Sequence, residues 1–134
     1  MADLVLTGIE VASSRSRGTT VQAGEAISAG ELVYLNTATS KYELADASAA
    51  ATANVAGIAV TDAASDGYFL YVANEDIDLG AILTAGTHYY LSATAGKICP
   101  FADLVSTNVV SQIGYATTTS NMKVSISNTE VAIA

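Results

Sequence analysis

Apolar and polar positions alternate along this chain in short runs and do not recur at helical spacing. Met122, Val124 and Ile126 alternate with Lys123 and Ser125, the period-two pattern of a strand with one buried face. Similar runs of about five residues, rich in Thr, Val, Ile and Tyr and bounded by Gly, Asn, Asp or Ser, predict an all-β protein. The most helix-like stretch, residues 46–54, offers Asp46 as a candidate N-cap but no large apolar residue to bury, so it reads as a loop with at most one helical turn.

The pattern is duplicated. Ala29-Gly30-Glu31-Leu32-Val33-Tyr34-Leu35 recurs as Ala85-Gly86-Thr87-His88-Tyr89-Tyr90-Leu91 at an offset of 56, which also carries Lys41 onto Lys97. Gly57-Ile58-Ala59 answers Gly114-Tyr115-Ala116 at an offset of 57, and residues 68–72 answer 122–126 at an offset of 54. Each copy reads as four strands. Residues 23–134 are therefore expected to form one duplicated β-domain, with repeats at about 26–72 and 82–126. An eight-strand body of this kind closes as a small barrel or packs as a two-sheet, β-tulip-like sandwich.

One copy interprets the other. Aligning 68–72 with 122–126 turns Tyr68, Leu70 and Val72 inward and leaves Phe69 and Tyr71 outward, where Lys123 and Ser125 sit in the twin. Two outward aromatics on one strand nominate Phe69 and Tyr71 as a contact surface, because aromatic side chains are enriched at interface centres. The alternative is that both faces of the sheet are covered within the same subunit.

Residues 1–22 lie outside the repeat and read as an extended N-terminal arm. Leu4, Val5, Leu6 and Ile9 give it β-character, and the polar stretch after them carries Arg15 and Arg17, two of the five basic residues of the chain. Such an arm could add a strand to a neighbour's sheet while its arginines meet an acidic patch. It could equally be an edge strand of its own domain.

Composition narrows the function classes. Only 13% of residues are charged, and 25 of the hydrophobic residues are alanine, so much of the surface must be Ser, Thr and Ala. A weakly charged surface favours oligomerisation or docking onto a larger assembly. The net charge of −8 and the lack of a Lys/Arg run argue against nucleic acid as a partner. No apolar run approaches the length of a bilayer span, and no basic n-region opens the chain, so no membrane partner is expected. The single cysteine, Cys99, excludes an intrachain disulfide and suits the reducing cytoplasm in which the chain is expected to be made.

Chemistry-bearing constellations are sparse. His88 is the only histidine and takes the repeat position of Leu32, and no nucleophile-elbow pattern accompanies it. Cys99 precedes Pro100 without a second Cys or a neighbouring His, so it reads as a quiet thiol. The run Asn74-Glu75-Asp76-Ile77-Asp78 lacks the Gly and terminal Glu of a calcium loop and reads as solvated turn residues. Asp62 to Gly67 reads as turn chemistry with Gly67 at positive φ. No catalytic residue, cofactor or metal is expected, and the chain is expected not to be an enzyme.

The order Ile27-Ser28-Ala29-Gly30-Glu31-Leu32-Val33-Tyr34-Leu35, Lys41 with Ala45-Asp46-Ala47, Val55-Ala56-Gly57-Ile58-Ala59, and Leu83-Thr84-Ala85-Gly86-Thr87-His88-Tyr89-Tyr90-Leu91-Ser92 resembles a module of tailed-bacteriophage virion proteins. That family includes capsid decoration (cement) proteins, and the module is also seen in phage fibre proteins. The resemblance covers residues 23–127. It implies a compact β-domain that forms a homotrimer on the virion capsid surface and clamps neighbouring copies of the major capsid protein, often through an N-terminal arm. In a fibre setting the same module would serve adhesion, for instance as a carbohydrate-binding unit with Tyr34, Tyr71 or Tyr90 stacking on sugars.

Overall fold

The computed structural model describes Leu4 and residues 18–133. Among these the chain is all-β, with ten strands and one 3-10 turn at Phe101–Asp103. In chain order the strands are β1 (Thr19–Gln22), β2 (Leu32–Asn36), β3 (Lys41–Leu44), β4 (Val55–Ala59), β5 (Tyr68–Val72), β6 (Asp76–Asp78), β7 (His88–Leu91), β8 (Ile98–Pro100), β9 (Val109–Ala116) and β10 (Asn121–Ala132). They form two five-stranded antiparallel sheets, ordered β1-β5-β4-β2-β3 and β6-β10-β9-β7-β8. The second order is the first with every strand advanced by five, so each repeat builds one complete sheet. The architecture is a two-sheet sandwich and not a closed barrel.

Each unit thus has five strands where the sequence pattern predicts four. The additions are β1 and β6, too short and too polar to stand out by alternation. They exist because β5 and β10 offer edges to pair with: Val21 opposes Phe69 and Ile77 opposes Met122. Thr19–Gln22, expected in the arm, therefore belongs to the first sheet. The tight turn before β5 also differs from expectation, since Asp66 and not Gly67 takes positive φ, at 70°. An Asp tolerates that conformation, and here the Asp66 carboxylate meets Lys41 Nζ at 2.6 Å while its amide donates to the Ala23 carbonyl.

The two units repeat one irregularity. Along β2 and β4, Val33 opposes Gly57 but Tyr34 opposes Val55; along β7 and β9, Tyr89 opposes Gly114 but Tyr90 opposes Gln112. One extra residue, Ala56 or Ile113, is accommodated as a bulge at the same place in both units. The glycine beside each bulge is required by close approach. A Cβ on Gly57 would run into the Tyr71 ring and the Val72 carbonyl, and one on Gly114 would run into the Lys123 carbonyl.

Burial divides into two clusters. The larger joins the units and contains Leu32, Ile58 and Val72 from the first sheet with Leu91, Ile98 and Val124 from the second. The smaller lies within the first unit, around Val33, Ala59 and Phe69, and is closed by Ala23 and Ile27. The loop 45–54, unremarkable by size of side chain, sits at the junction. Ala45, Ala47 and Ala53 are buried there because only small side chains let its backbone approach the second unit, where the Ala47 amide donates to the Ser92 carbonyl and the Val109 amide to the Ala47 carbonyl. Within the loop, Asp46 Oδ1 accepts from the Ser48 amide, and the Ala53 amide reaches back to the Ala49 carbonyl, which makes the single turn expected of it.

Candidate functional site

Phe69 and Tyr71, the contact residues expected on β5, are not an open surface. Alternation along β5 does set Leu70 and Val72 toward the junction core and Phe69 and Tyr71 toward the reverse face. That reverse face, however, is covered within the same unit. Phe69 is 1% exposed, and Tyr71 is half-buried against Tyr42 with ring centroids 5.5 Å apart. Tyr68, expected inward, sits at the strand end and is 65% exposed. The source of the error is register. Strand pairing places Phe69 or Tyr71, not Tyr68, in the position of Met122, since Val21 and Ile77 oppose Phe69 and Met122, while Ala59 and Ala116 oppose Tyr71 and Met122. An odd slip in register exchanges the two faces of a strand.

Of the arm residues, Leu4 has a defined place. Its amide donates to the Ile98 carbonyl at 3.0 Å, and its side chain packs partly buried on the junction core. The equivalent carbonyl in the first unit, that of Tyr42, accepts instead from Gly24 of its own unit. Leu4 therefore fills, at the edge strand β8, the role that the unit's own chain fills at β3. Val5, Leu6, Ile9, Arg15 and Arg17 lie outside the described residues.

The open aromatic surface is on the second sheet. His88 opposes Tyr115, which opposes Lys123, so these three form one row across β7, β9 and β10. The His88 and Tyr115 rings lie 5.6 Å apart, and Gln112 Nε2 donates to His88 Nδ1 at 2.7 Å. Beside them Tyr90 meets Phe101 edge-to-face at 5.3 Å. Phe101 is 52% exposed and Tyr115 is 37% exposed, while His88 and Lys123 are exposed polar ends. The sequence carried a signal for this surface: two apolar residues of the first copy, Leu32 and Ile58, are answered by His88 and Tyr115 in the second.

Other sequence candidates have structural places. Cys99 is buried. Residues 76–78 form strand β6 with Ile77 buried, not the solvated turn expected of them. Asp78 Oδ1 accepts from the Gly80 amide just beyond the strand, while Asp62 Oδ1 accepts from the Ala29 amide and ties together two segments distant along the chain. Among the described residues, no group of three or more His, Cys, Asp or Glu side chains converges as a metal-ligand set, and no helix is long and apolar enough to cross a membrane. Tyr34 donates to Glu43 Oε1 at 3.3 Å, and burial, followed by the Glu43 carboxylate, raises its phenol above the ordinary value. Burial and then the Tyr42 contact raise that of Tyr71. What the second-sheet face offers is flat aromatic and amide surface for contact with another surface. No protein-family model matches the chain, and no curated protein matches it.

Proposed function

We propose that the chain is a capsid decoration (cement) protein of a tailed bacteriophage, made in the host cytoplasm, which binds the outside of the assembled head and stabilises it without catalysing a reaction. The observation that carries the reading is the exposed aromatic row of the second unit, set on a rigid, sparsely charged all-β body. Rigid aromatic side chains supply contact area at low entropic cost, and the low charge suits a molecule whose surface is largely covered in its working state. The resemblance of residues 27–35 and 83–92 to the decoration module supports the same reading. Its partners are the major capsid protein and further copies of itself, as a homotrimer. A protein that binds only the finished lattice stabilises it by mass action, and several weak contacts made together hold it in place.

The test is co-sedimentation of the purified chain with expanded heads of the phage that encodes it. Saturable binding and a higher temperature of head disruption are expected. A chain that stays in the supernatant at every concentration contradicts the proposal. A second reading, adhesion through a fibre-type carbohydrate-binding module, is favoured by the same aromatic surface, because Tyr115 and Phe101 could stack on sugar rings. Retention on a glycan array without head binding would select it.

A further inference from the structure

The two units meet through unlike faces. In the first unit the row Leu32, Ile58 and Val72 runs across β2, β4 and β5 and is buried in the junction core. Its counterpart in the second unit, by the same register, is the exposed row His88, Tyr115 and Lys123. The seam shows the same asymmetry. The Leu32 amide donates to the Gly96 carbonyl, and the Gly96 amide donates to the Ala45 carbonyl. Under a two-fold relation the counterparts would have to meet reciprocally, bringing Ser40 against His88 and Phe101, yet Ser40, His88 and Phe101 are all exposed. The junction is head-to-tail.

A head-to-tail junction leaves one copy of each face unused at its two ends. At one end is the aromatic face just described. At the other end are the counterparts of the second-unit residues that seat against the first. Leu91, Ser92 and Ser111 are buried at the junction, with Ser111 Oγ donating to the Ala53 carbonyl at 2.6 Å. Their counterparts Leu35, Asn36 and Asn54 line an open groove on the first unit, where Leu35 is 42% exposed. Exposed Glu130, which β10 of the second unit brings to the border of this groove, is opposite in sign to the Lys123 that ends the aromatic row.

We infer that the aromatic face of the second unit docks the groove of the first unit of another copy of this chain, repeating between molecules the junction that already exists within one. The occupant is a second copy because the chain carries both halves of that interface and uses each half once internally. A contact of this kind propagates, so the assembly is a closed ring or an open chain and not a two-fold dimer. The inference names the two surfaces of the self-association proposed above and rests on that reading for the number of copies, while the surfaces themselves follow from the equivalence of the units.

The experiment uses the full chain and two surface variants, Y115E on the aromatic face and L35E in the groove, both at exposed positions. Circular dichroism and the thermal midpoint check that each variant is folded; should either fail, H88E and N54R replace them on the same two faces. Light scattering on the parent chain is expected to give a mass above that of a dimer, and each variant alone is expected to be monomeric. Mixing the two variants is expected to restore one 1:1 heterodimer, because each retains the face the other has lost. A monomeric parent chain overturns the inference, as does a parent dimer that both variants disrupt and that mixing does not restore. Loss of self-association with head binding retained in L35E, whose substitution lies outside the aromatic row, would separate this inference from the capsid reading.

Discussion

At the scale of single residues, the tightest constraints fall where backbones nearly touch. Gly57 and Gly114 stand beside equivalent bulges, and in each case a methyl group would meet a neighbouring carbonyl that is part of the sheet and cannot move aside. G57A and G114A are each expected to cost about 2 to 4 kcal/mol, read as a fall in the denaturant midpoint at unchanged m-value. Two tyrosines bear on stability at alkaline pH. Tyr34 and Tyr71 have phenols raised above the ordinary value of 10.0, chiefly by burial. Their contribution to stability is fully present below the unfolded pKa and is lost as pH rises through the raised folded one, because the unfolded chain releases its protons first. Stability measured by chemical denaturation is therefore expected to fall above about pH 10, and Y34F and Y71F should each flatten that fall. An unchanged alkaline slope in both variants would contradict this account.

At the scale of elements, the sequence disclosed a good deal. The offset of 56 located β2 and β7 and predicted their equivalence, and the offset of 57 matched Gly57 to Gly114, although the bulges beside them emerge only from the strand pairing. Alternation correctly separated Leu70 and Val72 from Phe69 and Tyr71, but the offset of 54 matched the wrong one of these two faces to that of Met122 and Val124. It could not reveal what covers the second face, because that depends on Ala23, Ile27 and Val33, residues distant along the chain from β5. Two further features were illegible for physical reasons. Strands β1 and β6 owe their existence to a neighbour's edge and not to their own pattern. Loop 45–54 has alanines where its role is to let backbones approach, and small side chains give no hydrophobic signal of burial. The clamp between β10 and β4 is of the same kind: Asn128 accepts from the Val55 amide and donates to the Val55 carbonyl, both at 3.0 Å. N128A leaves both groups without that partner and is expected to cost about 1 to 3 kcal/mol in equilibrium unfolding. Leu4 docks on β8 of its own chain, so deleting residues 1–17 is expected to lower stability modestly. Under the capsid reading, in which the resemblance implies a clamping arm, the same deletion is expected to abolish head binding. Full occupancy of heads by the truncated chain would show that the arm makes no capsid contact.

At the scale of the whole molecule, duplication has produced two units of one topology that are not interchangeable. The larger core draws on both sheets, so the chain is expected to unfold in a single transition by calorimetry, with calorimetric and van't Hoff enthalpies in agreement. Two separated transitions would mean that the junction is weaker than its buried rows and seam hydrogen bonds imply. The residues on the exposed row were visible in the sequence as a contrast between copies, Leu32 and Ile58 against His88 and Tyr115. Their meaning needed the register, which shows that the same row is buried in one unit and open in the other. That contrast is where a duplicated scaffold acquires surfaces for assembly, and it is why a structural role on a larger lattice is the function proposed. The most direct measurement is an image reconstruction of heads assembled with and without this chain. The account predicts added density on the outer surface of the shell, spanning neighbouring capsid subunits and sized to an assembly of this β-domain. Identical shells in the two preparations, or density for the chain confined to the tail, would contradict it.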